Sequence, residues 1–250
     1  MPFRLCLVPI AAAILIGCSP ESPGSTTAPN PPLPGSPIRV LMLTATRGFR
    51  HDSIAAARDV MTTMASSCEF GITFTEDVSA VTGASLVNYD VLCFVLTTGE
   101  LPFAPAQKGA ILDFVSGGKG FIGIHSASDT LYSWPEFGQL VGAYFKEHPW
   151  TQSATVLVEN QGHPSTTGLG ERFTITEEFY TFRDNPHGVQ ILLRLDPSSV
   201  GAAGDYPLAW AQSYGAGRAY YNALGHFDAT WHDVRFQRQI AGAIRWTAQR

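Results

Sequence analysis

The chain has 250 residues, of which 45% are hydrophobic and 15% charged, an ordinary composition for a globular protein with room for one large domain or two small ones. Its formal net charge is −5. Because there is no basic surplus to neutralise phosphates, the chain is not expected to bind nucleic acid.

The first 18 residues predict a lipoprotein signal peptide. Arg4 provides a weak positive charge, residues 5–16 are apolar, and LIGC (15–18) is similar to the bacterial lipobox, in which cleavage leaves the cysteine lipidated. The apolar run is too short to span a membrane. An ordinary signal peptide with an incidental cysteine is the alternative. We expect a lipid on Cys18 that anchors an exported protein to the bacterial cell membrane or outer membrane, facing the periplasm or the exterior.

Residues 19–37 are rich in proline, serine and glycine, which predicts a disordered tether. Beyond them, apolar runs between turn residues predict strands, and apolar spacing of three and four residues predicts helices. The predicted strands are 38–46, 70–75, 91–96, 120–124, 155–159, 173–176, 189–195 and 218–224, and the predicted helices are 54–64, 104–115 and 234–247. This alternation predicts one α/β domain over residues 38–250, with a mainly parallel sheet and right-handed crossovers.

Two cysteines, Cys68 and Cys93, remain after the signal peptide. In an oxidising compartment they could form a disulfide. Cys93 lies within the strand-like YDVLCFVL, which fits a buried free thiol equally well. Neither cysteine has a histidine or aspartate near it in the sequence, so a metal–thiolate site is not expected.

Polar side chains follow several of the predicted strands. His51 and Asp52 follow the first strand, Glu100 the third, His125 the fourth and His226 the last. Helix capping, a solvated loop or a satisfied buried histidine would explain any one of them. Ligands of α/β sheets bind beyond the carboxyl ends of the strands, so imidazoles at three strand ends favour a shared site.

The stretch GIHSASD (123–129) has the strand-to-turn form of a nucleophile elbow, yet it carries an imidazole where such elbows carry the nucleophile. It lacks a Gly-x-Ser-x-Gly pattern, which argues against a serine hydrolase, and it has no thiol for a cysteine amidase. If a helix begins near Ser126, Asp129 lies one turn from His125. It would then orient the imidazole or share a metal ion with it.

Several segments together resemble the trehalose-utilisation, or ThuA-like, family from about residue 38 to the end of the chain. They are GFRHDSI (48–54), GKGFIGIHSASDT (118–130), LVGAYFKEHP (140–149), EEFYTF (177–182), PLAWAQSYGAGRAYYNALGH (207–226) and the closing residues 236–246. The resemblance implies a flavodoxin-like fold similar to class I glutamine amidotransferases, with helices on both faces of the sheet and an elbow that lacks the catalytic cysteine. It also implies carbohydrate catabolism, in routes where a dehydrogenase first makes a 3-keto-glycoside.

The strand ends and the family motifs together indicate the site residues. The expected catalytic residues are His125, Asp129, Glu178 and His226, and the expected substrate-binding residues are Phe49, Arg50, His51, Asp52, Ser126, His148 and Tyr180. Glu177 stands where the family more often has aspartate, which puts a direct role for this residue in doubt.

A divalent metal ion, Zn, Mn or Fe, is the expected cofactor. Two or three imidazoles with one carboxylate suit such an ion, and His51, His125 and His226 are the predicted ligands. No two histidines have the short fixed spacing of His-Glu-x-x-His, so the ligand geometry does not follow from the sequence.

The predicted function is that of an exported lipoprotein of carbohydrate catabolism, a hydrolase or lyase acting on glycosides or 3-keto-glycosides. A 3-keto group acidifies the neighbouring C–H, so His125 or Glu178 would remove that proton and expel the glycosidic oxygen, while a divalent cation or His226 holds the enolate oxygen. One alternative is a non-catalytic glycan-binding lipoprotein, and another is a structural partner of a sugar oxidoreductase in the same pathway. In the glycan-binding alternative, the aromatic residues that would stack on sugar rings are Trp134, Trp150, Tyr180 and Trp231.

Overall fold

The computed structural model describes residues 37–67 and 70–250. The signal peptide with Cys18, nearly all of the tether, and Cys68 lie outside the described residues. Within them the chain is one compact unit. None of the helices in this part of the chain has both the length and the apolar character needed to cross a membrane.

Nine strands and six α-helices make up the fold of the described ranges. The strands are β1 (Ile38–Leu43), β2 (Phe70–Thr75), β3 (Val91–Val95), β4 (Gly120–Ile124), β5 (Phe145–Val158), β6 (Arg172–Phe182), β7 (Gln190–Leu195), β8 (Pro207–Tyr214) and β9 (Gly217–Asn222). The helices are α1 (Ile54–Ser67), α2 (Gly83–Leu86), α3 (Pro105–Ser116), α4 (Pro135–Val141), α5 (Asp228–His232) and α6 (Val234–Thr247). Short 3₁₀ helices join them, and the one that bears on the site is His125–Asp129.

All of these strands form one mixed sheet in the order β2-β1-β3-β4-β9-β8-β7-β5-β6. The first five are parallel to one another, and the other four continue the sheet through antiparallel pairs. The predicted α/β class is confirmed, and the parallel strands form the core of a sheet that is mixed as a whole.

Helices cover both faces of the parallel half. Every residue of β3 and β4 is buried, as in strands that are packed on two sides. Phe121 packs edge-on against Phe137 of α4, whereas Gly120 lies so close to Thr247 of α6 that a side chain would not fit. Because successive strand residues point to opposite faces, α4 and α6 lie on opposite faces of the sheet.

The irregular middle of the chain is more strand-rich than the sequence predicts. Strands predicted at 155–159 and 173–176 are parts of the longer β5 and β6, and β8 is absent from the prediction. The first nine residues of β5 are mostly exposed and include Pro149, so they lack the apolar alternation that marks a strand.

Only residues 156–158 of β5 pair with β7, whereas nearly the whole strand pairs with β6. The long hairpin thus extends beyond the sheet. Burial in β6 alternates over residues 172–176 and becomes continuous over 177–180. The second part of β6 is therefore covered on both sides, and it is this part that reaches the carboxyl ends of β4 and β9.

Cys93 is a buried free thiol in the centre of β3. Burial in this apolar position raises the pKa of the thiol far above its usual range. The thiol is therefore structural and unreactive, as expected for a buried free cysteine.

Candidate functional site

Four side chains from four separate segments meet at the carboxyl edge of the parallel strands. His51 follows β1, His125 follows β4, His226 follows β9, and Glu178 comes from β6. One potential ligand atom from each residue lies within 4.8 Å of those of the other three. The structure thus brings together the three histidines predicted as ligands and Glu178, which is predicted as a catalytic residue.

His125 sits at a strained turn, with a φ angle of +52° that few residues other than glycine adopt. Its Nδ1 lies 2.7 Å from the carbonyl oxygen of Ala223. A carbonyl oxygen only accepts, so Nδ1 carries the proton and Nε2 presents its lone pair to the cluster. The turn at the end of β4 therefore directs an imidazole nitrogen into the cluster.

Glu178 lies at the centre of the cluster. Its Oε2 is 3.0 Å from Nδ1 of His226 and 3.5 Å from Nε2 of His125, and its Oε1 is 3.3 Å from Nδ1 of His148. Burial acts to raise the pKa of Glu178, but the neighbouring imidazoles of His125 and His226 hold it well below its usual range. Glu178 is therefore a carboxylate at neutral pH.

The pKa values of His226 and His51 are shifted in opposite directions. Burial acts to lower the pKa of His226, but its hydrogen bond with Glu178 raises it above the usual value. For His51, burial and the neighbouring His125 and His226 lower the pKa to about 3. His51 is therefore neutral at neutral pH and has a lone pair available for a ligand.

His51 also has an unsatisfied polar atom. Among the described residues, its Nδ1 is buried and has no hydrogen-bond partner. Burying an imidazole nitrogen without a partner costs free energy, so this atom calls for an explanation. A metal ion or a substrate group would satisfy this nitrogen.

A cavity of about 500 Å³ opens beside the cluster. Its walls combine two aromatic rings, two carboxylates and two of the cluster imidazoles. The lining residues are Phe49, His51, Asp52, Ser53, Thr176, His226, Phe227, Asp228 and Ala229. The side chain of Phe49 is 65% exposed at this cavity, which is unusual for a large apolar residue.

His148 and Tyr180 complete the surroundings of Glu178. His148 lies on β5 where the pairing with β6 shifts register, and its side chain is 48% exposed. Tyr180 is buried, and its hydroxyl lies 3.0 Å from Nε2 of His125. Of the two, only His148 is accessible to a molecule arriving from solvent.

Other predicted site residues lie apart from the cluster. Asp129 accepts a hydrogen bond from Tyr132 at 2.6 Å, so the Ala223 carbonyl, and not Asp129, orients the His125 ring. Burial is the main cause that raises the pKa of Asp129. Ser126 is fully buried because the 3₁₀ helix turns it inward.

Arg50 and Glu100 lie near the same edge of the sheet but pair with residues outside the cluster. Arg50 pairs with Glu76 and lines a different cavity of about 440 Å³. Glu100 accepts hydrogen bonds from the backbone N–H and the hydroxyl of Ser133. Arg50 therefore does not lie where the predicted substrate-binding role requires it.

Of the tryptophans considered as sugar platforms, Trp134 and Trp231 belong to the core, and Trp150 is half-buried against it. Trp134 and Trp231 are 5% and 1% exposed, and Trp150 packs edge-on against Tyr206. Sequence reasoning overlooked Phe227 and Asp228, which line the cavity because they directly follow His226. Their position next to a predicted site histidine was the signal that could have found them.

The cluster suits a divalent transition-metal ion. Three imidazoles and one carboxylate are the nitrogen and oxygen ligands that Zn, Mn and Fe take in proteins. The present separations, all within 4.8 Å, are close to those of ligands around one ion at about 2.0–2.2 Å. The unpartnered nitrogen of His51 is a second and independent sign of the same fit.

Comparisons with known proteins place the chain in a family. Two solved ThuA-like proteins are similar in structure. The protein from Bacteroides uniformis ATCC 8492 has a TM-score of 0.73 and 24% identity over 91% of this chain and 95% of that one. The protein from Parabacteroides merdae ATCC 43184 has a TM-score of 0.70 and 19% identity over 85% and 90%.

A more distant likeness is to the β-galactosidase of Rahnella sp. R3, with a TM-score of 0.54 and 14% identity over 85% of this chain and 30% of that one. These identities show a shared fold alone. No curated protein sequence matches. The model of the ThuA family, described as trehalose utilisation, matches residues 39–247, and the chain therefore belongs to the ThuA, or trehalose-utilisation, family.

Proposed function

We propose that this chain is an exported, lipid-anchored enzyme of carbohydrate catabolism, a hydrolase or lyase that cleaves glycosides or 3-keto-glycosides. The observation that carries the proposal is the cluster of three imidazoles and one carboxylate beside a cavity of about 500 Å³. Membership of the trehalose-utilisation family supports a sugar as the substrate.

The finer fold assignment, flavodoxin-like and similar to class I glutamine amidotransferases, belongs to the same proposal. The parallel strands have the order β2-β1-β3-β4-β9, which matches the order 2-1-3-4-5 of flavodoxin-like sheets when only the parallel strands are numbered. The positive φ of His125 at the end of β4 supports an elbow that keeps its geometry without a thiol.

In this proposal His51, His125, Glu178 and His226 hold one divalent ion. The bound ion supplies a Lewis acid for a carbonyl oxygen of the substrate. Glu177, the neighbour of Glu178, is fully buried as well. Two adjacent carboxylates beside neutral imidazoles balance the charge of a divalent ion.

His148 is the residue best placed to carry a proton. His125 is fully buried with Nδ1 bonded to a carbonyl, whereas the His148 ring is about half exposed. Nδ1 of His148 faces Glu178, so Nε2 is the nitrogen that meets a substrate. A carboxylate held against an imidazole orients the ring and fixes which nitrogen carries the proton.

The reaction that these groups support is an elimination. His148 takes the proton from the carbon next to the keto group, a C=C bond forms, and the glycosidic C–O bond breaks. The proton then passes to the departing oxygen. The keto group is essential because it acidifies the C–H bond that breaks.

The cavity walls suit a sugar ring. Phe49 and Phe227 offer aromatic surface for the apolar C–H face of the ring, while Asp52 and Asp228 accept hydrogen bonds from its hydroxyls. This combination of apolar walls with a few polar groups is typical of small-molecule sites.

Metal content and turnover, measured together, test the proposal. The mature protein should contain about one Zn, Mn or Fe ion per chain and should cleave 3-keto-trehalose. The Glu178→Gln variant should lose both properties. The His148→Gln variant should keep its metal, while its kcat falls about 10²–10⁴-fold, because only proton transfer is removed.

Glu100→Gln is the matched control, since Glu100 lies near the same edge but binds Ser133. It should keep both metal and activity. Full metal content and full turnover in Glu178→Gln would contradict the proposed site. Sugar binding without turnover in the wild-type protein would instead favour the non-catalytic glycan-binding lipoprotein.

The proposed lipid anchor rests on LIGC (15–18). Cys18→Ser should release the protein from the membrane fraction or block its processing, because the acceptor thiol is gone. Fractionation and immunoblotting check this, with Cys68→Ser as the control that should stay anchored. Unchanged fractionation of the Cys18→Ser variant would count against the anchor.

A further inference from the structure

One loop, residues 223–226, determines the positions of two of the three cluster imidazoles. It carries His226, and its first carbonyl, that of Ala223, receives the hydrogen bond that orients the ring of His125. A shift of this loop would therefore move one ligand nitrogen directly and rotate a second one away from the cluster.

Glu177 holds this loop through its backbone. Its Oε1 accepts from the N–H of Gly225 at 2.9 Å and from the N–H of His226 at 3.1 Å. Oε1 also accepts from the hydroxyl of Thr230 in α5 at 2.5 Å, and Oε2 accepts from the N–H of Glu178 at 2.9 Å. The carboxylate thus binds the backbone of two cluster residues and the helix that follows one of them.

The environment of Glu177 makes these bonds strong and specific. The residue is fully buried, and its hydrogen-bond partners in the described part of the chain are N–H and O–H donors. Charge-assisted hydrogen bonds that a buried carboxylate accepts are stronger than neutral ones, and burying a carboxylate that has lost its donors costs free energy. The carboxylate and the loop therefore keep one relative position.

The other side of the loop is anchored too. The carbonyl of Gly225 accepts from the hydroxyl of Ser53 at 3.3 Å and from Nε1 of Trp231 at 2.9 Å. Gly225 has a φ angle of +122°, which a side chain would strain. The backbone is therefore held on its N–H side by Glu177 and on its carbonyl side by Ser53 and Trp231.

We propose that Glu177 is a positioning residue that fixes residues 223–226 and thereby presents His226 and the correctly oriented His125 to the metal ion. This inference rests on the proposed function, since it concerns the ligands of the same ion. Glu177 and Glu178 are neighbours on one strand with a division of labour: Glu178 binds in the cluster, and Glu177 holds the loop. Groups that orient metal ligands commonly contribute about 10–100-fold to metal affinity.

The test compares Glu177→Gln with the wild-type protein in the mature chain. The amide keeps the size of the side chain but turns an acceptor into a donor that faces backbone N–H groups. We expect the dissociation constant for Co²⁺, followed by its visible absorption, to rise about 10–100-fold, with a changed spectrum. In the metal-free protein, the amides of Gly225 and His226 should exchange with deuterium faster.

Asp90→Asn is the matched control. Asp90 is another buried carboxylate that accepts hydrogen bonds from a backbone N–H and from side chains, but it lies at the opposite ends of the strands. It should lower the melting temperature yet leave Co²⁺ affinity and exchange at residues 225 and 226 unchanged. Thr230→Val removes one hydrogen-bond donor to Glu177. It should weaken Co²⁺ binding and speed amide exchange at residues 225 and 226, both by less than Glu177→Gln does. This variant replaces Glu177→Gln in the test if Glu177→Gln does not fold.

The outcomes separate the two proposals. A wild-type protein that takes up no Co²⁺ would refute the metal site, while the exchange measurement would still decide whether Glu177 holds the loop. Unchanged exchange in a folded Glu177→Gln protein would overturn the positioning role. That role would also be overturned if exchange rises but Co²⁺ affinity stays within about twofold, or if Asp90→Asn weakens binding as much as Glu177→Gln does.

Discussion

His125 combines a strained backbone with a well-held side chain. Its φ of +52° costs a residue with a Cβ roughly 1–2 kcal/mol. The turn is kept by Tyr221, whose hydroxyl donates to the His125 carbonyl at 2.7 Å, and by the bond from Nδ1 to Ala223. Strain that is retained at a strand end, with the side chain aimed at a polar cluster, is typical of a functional residue.

This strain makes a prediction about stability. His125→Gly should be more stable than His125→Ala by about 1 kcal/mol, because glycine adopts a positive φ without a Cβ clash. Urea denaturation of both variants measures the difference. His232, in α5, is the control position, and there the order should reverse because glycine is the poorer helix residue. An alanine variant at 125 as stable as the glycine variant would contradict the predicted strain.

At the scale of elements, the β5–β6 hairpin is what turns an ordinary sheet edge into a site. It brings His148 from one strand and Glu178 and Tyr180 from the other to imidazoles that the parallel strands supply. The pairing of β5 with β6 shifts register around residues 145–150, and in this irregular stretch the side chain of His148 contacts Glu178. Bulges of this kind often aim side chains at active sites.

The contact between α3 and β9 sets the position of the strand that carries the loop 223–226. Gly217 begins β9, and a Cβ there would clash with the carbonyl oxygens of Val115 and Lys119. Both atoms belong to the backbone, so neither moves away easily. The strand is therefore packed against the end of α3 with no space for a side chain.

Gly217→Ala should accordingly lower the free energy of unfolding by about 3 kcal/mol, the upper part of the range for overpacking. Gly71→Ala, in β2, is the matched control, because no atom of the described residues, apart from Gly71 and its two chain neighbours, lies within 4 Å of the added Cβ. It should change stability by no more than about 0.5 kcal/mol. Denaturant titration of the two variants distinguishes the cases, and equal stabilities would show that the α3 contact is not tight.

At the scale of the molecule, the two edges of the parallel sheet are specialised. The carboxyl edge holds the cluster, and the opposite edge holds a structural ion-pair network around Asp90. Asp90 accepts from the backbone and guanidinium of Arg39, which is in β1, and from Lys119, which precedes β4. One buried carboxylate thus ties together the starts of β1, β3 and β4.

The network predicts how stability depends on pH. Burial acts to raise the pKa of Asp90, but the bonds with Arg39 and Lys119 hold it well below its usual range. A depressed carboxyl pKa contributes stability above the unfolded pKa of about 3.9, and this contribution is lost as the pH falls through the folded value. Acidification from about pH 4 downward should therefore reduce this contribution progressively.

Asp90→Asn tests this dependence. At pH 7 it should lower the free energy of unfolding by about 2–3 kcal/mol, less than for a fully buried pair because Arg39 is 45% exposed. The difference from the wild-type protein should shrink as the pH falls below about 4, because Asp90 then becomes protonated in the unfolded wild-type chain while it is still ionised in the folded protein. Urea titrations at pH 7, 5 and 3 measure it, and a difference that is constant with pH would contradict the assignment.

The sequence alone determined the α/β class and the parallel strands, because their apolar runs depend on burial within each segment. It also placed His51, His125 and His226 on one edge, since parallel strands end together whatever joins them. The reach of Glu178 and His148 into the cluster, the replacement of Asp129 by the Ala223 carbonyl, and the hold of Glu177 on residues 223–226 were decided only by the tertiary structure. Each of these contacts joins residues that are tens of positions apart in the sequence. They depend on the β5–β6 hairpin, whose first strand is mostly exposed, and on the loop 223–226, which has a glycine at positive φ. The apolar periodicity of a segment predicts neither the path of such a hairpin nor that of such a loop.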